Sequence, residues 1–190
     1  MRWFFVVTLI PVVGGAVFFG LSYSHKTARW NTFSDPTTHV VLEYPPSLVS
    51  QPITGVDQND KIIFRAAEPA TGNTPVLVTL RYEDGLRVLT NLVKRDLLDI
   101  LVENSGTMHP ERFPGYRKIS EQKFERNGKK AAEITFTYQG PAGESIQERF
   151  LIIVRDDDLA AYLAAQAKER DFEEINKRYL ERIFENVRFE

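Results

Sequence analysis

The sequence predicts an α+β domain, an antiparallel β-sheet flanked by helices, preceded by one apolar N-terminal transmembrane or signal helix. Several segments place an apolar residue at every second position, which is typical of half-buried strands. Asn127-Gly128 separates two such segments and is a strong signal for a tight hairpin. Two other segments repeat apolar residues at helical spacing. With 190 residues, 13 Phe and 7 Tyr, the chain can build one domain with a large core.

The N-terminal segment has the composition of a membrane-spanning helix, because no charged residue occurs from Trp3 to Tyr23. A helix of that length reaches ~31 Å, about the hydrocarbon thickness of a bilayer. We therefore expect residues 1–24 to be an anchor or signal segment, 25–31 a tether and 32–190 the domain. The membrane is then a partner through residues 3–23. A two-residue leader usually stays in the cytoplasm, so the domain would face the periplasm or the exterior of a cytoplasmic membrane.

A cleaved signal peptide is the alternative interpretation of this segment, and it would make the domain a secreted protein. Pro11, Gly14 and Gly15 interrupt the apolar run and lower its helix propensity. Ser22 and Ser24 are spaced as the small residues before a cleavage site are. The length of the run favours the uncleaved anchor.

The strand predictions follow from alternating apolar residues. Val40, Leu42 and Tyr44 line one face of the first clear strand, which Pro45-Pro46 ends because proline supplies no ladder N–H. Further strands are predicted over residues 61–66, 75–82, 116–126, 129–138 and 145–155.

Two helices are predicted from apolar residues that recur along one face. The first runs over about residues 86–104 and ends before Gly106, a residue typical of helix C-termini. The second runs over about residues 172–187, where Asp171 and Glu174 have the spacing of a capping box.

Two segments carry a resemblance to a known family. They are WNTFSD at residues 30–35 and VLEYPP at 41–46, and the Gly128 turn and the final segment 183–187 add to the likeness. The chain resembles the PsbP-like and DcrB-like α/β/α sandwich family over about residues 30–189. This resemblance implies a non-enzymatic adaptor that binds or helps to assemble a protein complex, and it transfers no ligand-binding residue.

The alanine-rich stretch 158–167 leaves two interpretations open. Its composition favours a helix, and residues 158–187 could then form one long helix. Alternatively it is a strand over 159–166, because it follows an acidic turn directly after a strand and Arg170-Asp171 offers a new helix start. The family resemblance favours the strand.

Catalytic and metal-binding motifs are missing from the sequence. The chain has no cysteine, which excludes disulfides, thiol chemistry and a lipidated cysteine. It contains no HExxH, GxSxG or glycine-rich phosphate loop. His109 is expected to be exposed in a loop, and Asp156-Asp157-Asp158 to form a solvated turn, since calcium loops space their carboxylates differently. We therefore predict no catalytic residue, no metal site and no cofactor.

Residues 111–130 carry seven basic residues against three acidic ones. This segment is either a contact surface for an anionic partner or lipid headgroups, or a solvated hairpin whose lysines discourage edge-to-edge pairing. The second is the more common role. The basic residues are Arg112, Arg117, Lys118, Lys123, Arg126, Lys129 and Lys130.

The sequence thus favours a membrane-anchored or exported, non-catalytic binding or assembly module. A net charge of −2 gives no general attraction to nucleic acid. One alternative is a hydrolase or other enzyme whose site joins His109, Arg112 and the aspartates at 156–158. Another is a lipid- or peptide-binding domain with an apolar pocket of ~300–1,000 Å³ between sheet and helix.

Overall fold

The computed structural model describes residues 29–69, 76–156 and 158–190. In chain order the strands in these ranges are β1 Asn31–Ser34, β2 Val40–Tyr44, β3 Val49–Ser50, β4 Ile62–Ala67, β5 Leu77–Glu83, β6 Arg117–Arg126, β7 Lys129–Gln139, β8 Ser145–Val154, β9 Ala160–Lys168 and β10 Arg188–Phe189. The α-helices are α1 Gly55–Asn59, α2 Arg87–Val93, α3 Leu97–Arg112, α4 Glu169–Ile175 and α5 Glu181–Asn186, and a π-helical turn at Asn176–Leu180 joins α4 to α5.

The strands form two antiparallel sheets, as the fold class predicts. The large sheet has seven strands in the order β3-β4-β5-β9-β8-β7-β6, and the small sheet has the order β1-β2-β10. Each predicted strand forms within two residues of its expected bounds. The predicted N-terminal helix lies outside the described residues.

Helices cover both faces of the large sheet. On one face, the α3 face, Leu97, Leu98 and Leu101 pack on Ile134 and Phe136. The opposite face carries α4, the π turn, α5 and the small sheet, whose buried side chains form the second cluster with the sheet. The molecule is therefore a layered α/β/α arrangement with a core on each side of its central sheet.

The strand interpretation of the alanine-rich stretch is confirmed, because β9 pairs with both β5 and β8. Ala161, Ala165 and Ala167 are buried on the face that the terminal helices cover. Small side chains at these positions allow Phe172 and Phe184 to pack closely onto the sheet. Pairing on both sides and close packing outweigh the helix propensity of alanine.

The predicted helix over residues 86–104 is wrong in its bounds, since two helices form instead. Lys94 adopts a left-handed conformation (φ 51°) that ends α2. The Asp96 carboxylate then accepts a hydrogen bond from the Leu98 N–H and caps α3. Helix α3 continues past Gly106 to Arg112, so that glycine does not end it.

The start of the terminal helix also differs from its prediction. It begins at Glu169, and Lys168 occupies the N-cap position without a side-chain hydrogen bond. Asp171 and Glu174 therefore lie within α4 and form no capping box.

The predicted β6–β7 hairpin turns at Asn127 (φ 50°) and Gly128 (φ 71°), between the paired residues Arg126 and Lys129. Two consecutive positive φ angles match the tight turns that suit the twist of antiparallel strands. The turn fixes the register of both strands.

Replacing Gly128 by alanine is expected to destabilise the chain by about 1 kcal/mol, because alanine tolerates positive φ poorly. An added Cβ would meet no atom within 4 Å there, so the loss of stability reports the cost of the positive φ angle and not a steric clash. Urea unfolding followed by circular dichroism measures it. Gly106→Ala in the exposed part of α3 is the matched control and is expected to be neutral or stabilising. Equal effects of the two changes would contradict the assigned turn.

Candidate functional site

The predicted basic segment lies mostly on β6, an edge strand of the large sheet whose side chains are almost all exposed. Most of its charges contact acceptors within the chain. The pairs are Arg117 with Glu169, Lys118 with Glu121, Lys123 with Asp99, Arg126 with the Phe184 carbonyl, Lys129 with the Arg155 carbonyl, Lys130 with Asp96, and Arg112 with the Phe113 ring. Arg112 ends α3, and the other six residues are spread along β6 and the start of β7, so the seven do not converge on one point.

A cleft of about 390 Å³ lies at the hairpin end of the sheet. Its walls bring four cations together with two carboxylates. The residues that line this hairpin-end cleft are Thr90, Arg95, Asp96, Leu97, Gly128, Lys129, Lys130, Val154, Arg155 and Asp156.

Helix α2 presents apolar side chains to solvent beside this cleft. Val88, Leu92 and Val93 are 63%, 76% and 48% exposed. We call these three residues the α2 patch. Because Thr90 and Arg95 line the cleft, the patch and the cleft are neighbours on the surface. An exposed group of large apolar residues with a charged rim is typical of an interaction surface.

The acidic turn after β8 has a structural role. The Asp156 carboxylate accepts hydrogen bonds from the N–H groups of Asp158 and Leu159, at 2.9 and 3.1 Å. The Asp158 carboxylate accepts from the Arg87 N–H at the start of α2, at 3.1 Å. This turn lies at the hairpin end, whereas Arg112 ends α3 beside the opposite end of the sheet, so the sequence-predicted catalytic set does not converge.

His109 lies in the last turn of α3 and is only 8% exposed, so the predicted exposed loop is wrong. Its ring packs between Phe136 and Phe150, with centroids 4.8 and 5.0 Å away. Burial, with Arg112 and Arg81 nearby, lowers its pKa to about 4. The His109 Nδ1 is buried without a hydrogen-bond partner. These aromatic contacts hold the last turn of α3 on the sheet despite Pro110.

Glu148 is a second buried titratable group on the same face. It is 6% exposed, and burial raises its pKa to about 8 although Arg112 opposes the shift. Glu148 pairs across the strands with Phe136 and precedes Phe150 by two residues, so both rings that sandwich His109 also flank this carboxyl. No described group donates a hydrogen bond to it.

Sequence reasoning missed Glu148, although a signal was present. It occupies an inward position of β8 between Ile146 and Phe150, where the alternation calls for an apolar residue. A carboxylate at such a position is rarely retained without a partner or a role.

Tyr138 and Gln166 complete this group, since the Tyr138 hydroxyl donates to Gln166 Oε1 at 2.8 Å. Burial, with Glu148 nearby, raises the pKa of Tyr138. We call His109, Arg112, Tyr138, Glu148 and Gln166 the α3-face cluster. An open cleft of about 430 Å³ is lined by two members of this cluster, Arg112 and Tyr138, together with Phe113, Pro114, Gln139, Gly140 and Pro141.

Neither metal-ligand groupings nor spanning helices occur in the described ranges. No three His, Asp or Glu side chains there are placed to hold a metal ion. None of the helices in the same ranges combines the length and apolar character needed to cross a bilayer. The predicted anchor at 3–23 lies outside them.

Comparisons with known proteins show the fold. No family model and no curated protein matches the chain. Cyanobacterial PsbP from Synechocystis is similar, with TM-score 0.61, 11% identity, and coverage of 90% of this chain and 99% of that one. The protein of unknown function PA94 from Pseudomonas aeruginosa matches with TM-score 0.54, 12% identity, and coverage of 85% and 98%.

The Ran-binding protein Mog1p of Saccharomyces cerevisiae matches more distantly, with TM-score 0.46 and 6% identity over 79% of this chain and 84% of that one. The similarity to Synechocystis PsbP and to PA94 confirms, at the level of the fold, the resemblance predicted from the sequence: the chain has a PsbP-like α/β/α sandwich.

Proposed function

We propose that the chain is a membrane-held binding module whose domain, residues 32–190, docks a protein partner and performs no catalysis. The α2 patch beside the hairpin-end cleft is the observation that carries this proposal. It offers apolar contact area next to fixed charges, the composition of a protein-binding surface. The uncharged run at residues 3–23 supports attachment to a membrane.

The position of Trp30, near the start of the described residues, favours a protein partner over the lipid surface. Trp30 packs against the core on the face opposite α3, with the Arg182 guanidinium 4.0 Å from its ring centroid. Helix α2 joins the other core through Leu86 and Leu89. Trp30 and helix α2 therefore lie on opposite faces of the large sheet. If a bilayer lies on the Trp30 side of the domain, the α2 patch is directed away from the lipid and toward a partner.

The basic residues of 111–130 take part in this proposal through Lys129 and Lys130. They lie in the hairpin-end cleft with Arg95 and Arg155 and would face acidic side chains of the partner. Lys130 already forms an ion pair with Asp96. On binding, Lys130 would exchange Asp96 for an acidic side chain of the partner, so no free charge would be neutralised.

Site-specific crosslinking in intact cells tests the proposal. A photoreactive residue replacing Leu92 is expected to capture a defined neighbour, identified by mass spectrometry. A photoreactive residue replacing Met108, which is 59% exposed on α3, is the matched control and should not capture it. Val88→Asp is expected to abolish the adduct at position 92. Identical adducts at both positions, or none at position 92, would contradict a docking surface on α2.

The same sample tests the attachment to the membrane. Recovery of an N-terminal peptide from residues 1–24 in the membrane fraction is the expected result. A mature chain that begins at His25 would show that the leader is a cleaved signal and that the domain is released.

A further inference from the structure

Strand β6 forms one edge of the large sheet, because among the described strands it pairs only with β7. After the register shift between Lys118 and Ser120, residues 120–126 pair with β7 without interruption. Residues 117–123 are all exposed. In the described ranges, no turn, loop or cap hydrogen bond involves the backbone of 120–126. This long, regular stretch therefore presents a free edge on which a further strand can pair.

The hairpin turn determines which backbone groups point to this free edge. Arg126 and Lys129 flank the two-residue turn, so they exchange both of their backbone hydrogen bonds. Hydrogen-bonded pairs alternate with non-hydrogen-bonded pairs along an antiparallel ladder. Glu121, Lys123 and Glu125 occupy the non-hydrogen-bonded positions, so their N–H and C=O groups point away from β7. A strand added to this edge must form its hydrogen bonds with these three residues.

The charges at these positions alternate in sign, which favours pairing with a second copy of the same strand. Glu121 and Lys123 share the α3 face, where the Lys123 Nζ lies 2.7 Å from the Asp99 carboxylate of α3. In a two-fold antiparallel pairing centred on Gln122, Glu121 lies opposite Lys123 of the second copy, and Lys123 lies opposite its Glu121. Opposite charges that face each other across strands stabilise the pairing.

The other two-fold registers are less favourable. A two-fold axis at residue 121 or 123 would place two like charges directly opposite each other, which destabilises the pairing. An axis at Phe124 pairs Lys123 with Glu125 but overlaps only residues 122–126, whereas an axis at Gln122 overlaps residues 118–126. The alternating charges therefore specify one register and disfavour its neighbours.

We propose that the chain forms a two-fold symmetric dimer in which β6 pairs antiparallel with β6 of a second copy, with Gln122 at the axis. The two seven-stranded sheets then join into one. An axis normal to the sheet keeps equivalent faces together, so both Trp30 side chains lie on one side and both α2 helices on the other. Both copies can thus satisfy the proposed membrane attachment, although the dimer depends only on β6 and not on the proposed docking surface.

Because the chain contains no cysteine, disulfide crosslinking of the purified full chain tests the dimer directly. Gln122→Cys should form a disulfide-linked dimer on oxidation, since residue 122 faces its counterpart in a non-hydrogen-bonded pair with Cα atoms ~4.5 Å apart. Ser120→Cys and Phe124→Cys are the matched controls on the same face of β6. Each would lie ~14 Å along the strand from its own counterpart and should crosslink at least about tenfold less.

Charge reversal separates this interface from association through the N-terminal apolar segment. In the Gln122→Cys chain, Glu121→Lys or Lys123→Glu should each lower crosslinking about tenfold or more, because each places like charges opposite each other. Mixing these two variants, carrying different tags, should restore crosslinking between them, because the charges across the interface are then complementary again.

Three results would each overturn the proposal. One is crosslinking that is absent at position 122, equal at positions 120, 122 and 124, or strongest at 124. Another is crosslinking at 122 that neither charge reversal lowers, which would place the association elsewhere on the chain. The third is a mixture of the two reversed variants that crosslinks no better than either variant alone.

Discussion

Replacing Glu148 by glutamine is expected to remove a loss of stability that the native chain shows as the pH rises from about 6.5 to 8. Burial raises the pKa of this carboxyl from 4.5 to about 8, so the folded state holds a proton that the unfolded state releases. Its contribution to stability is complete below about pH 4.5 and is lost as the pH rises through 8. Each pKa unit is worth about 1.4 kcal/mol, so the loss is on the order of a few kcal/mol.

His109 titrates with the opposite sign in a lower range. Its pKa falls from 6.5 to about 4, so its contribution is complete above pH 6.5 and is lost as the pH falls toward 4. Between about pH 4.5 and 6.5 the His109 contribution to stability rises with pH while the Glu148 contribution falls. Above pH 6.5 only the Glu148 contribution still changes with pH, so stability should be measured in this range.

Urea unfolding at several pH values measures both effects. The free energy of unfolding of the native chain should fall toward pH 8. That of Glu148→Gln should change less with pH in this range and be higher than the native value at the alkaline end. Glu121→Gln on the exposed edge strand is the control and should keep the native slope. An unchanged slope in Glu148→Gln would show that this carboxyl is ionised in the folded chain.

Replacing Arg149 by methionine is expected to lower the free energy of unfolding by about 3–5 kcal/mol. Its guanidinium pairs with both oxygens of Glu133, at 2.8 and 2.9 Å, and donates to Asn176 Oδ1 at 3.0 Å. It also lies 4.4 Å from the ring centroid of Phe184. The Glu133 and Arg149 side chains are only 10% and 16% exposed, so removing the cation leaves a buried carboxylate unpaired.

The double variant Glu133→Leu with Arg149→Met separates this penalty from the worth of the pair. It should recover most of the loss, because no buried charge remains. Arg178→Met breaks the exposed pair with Glu174 and should cost less than about 1 kcal/mol. A double variant as unstable as Arg149→Met would mean that contacts to Asn176 and Phe184, rather than the unpaired charge, dominate.

The sheet could be predicted from the sequence because its signals are local. Alternation over 129–138 indicates which side chains share a face of the strand. Asn127 and Gly128 are residue types that adopt the positive φ angles of the turn. These features depend on neighbouring residues in the chain. The layered fold followed from them and from the resemblance carried by residues 30–35 and 41–46.

The helix ends and the candidate site depended on contacts between distant residues. Gly106 suggested an end to the predicted helix, but α3 continues to Arg112, and packing of His109 on Phe136 and Phe150 holds its last turn in place. Glu148 becomes notable only when strand pairing places it beside Phe136 and within the electrostatic influence of Arg112.

The chain by itself thus determined the strands and the hairpin, because propensity and periodicity act over a few neighbouring residues. Only the tertiary structure decided that His109 is buried and that burial raises the pKa of Glu148. Burial and pKa depend on how far segments that are distant in the chain exclude water from a side chain. No pattern of adjacent residues specifies this exclusion.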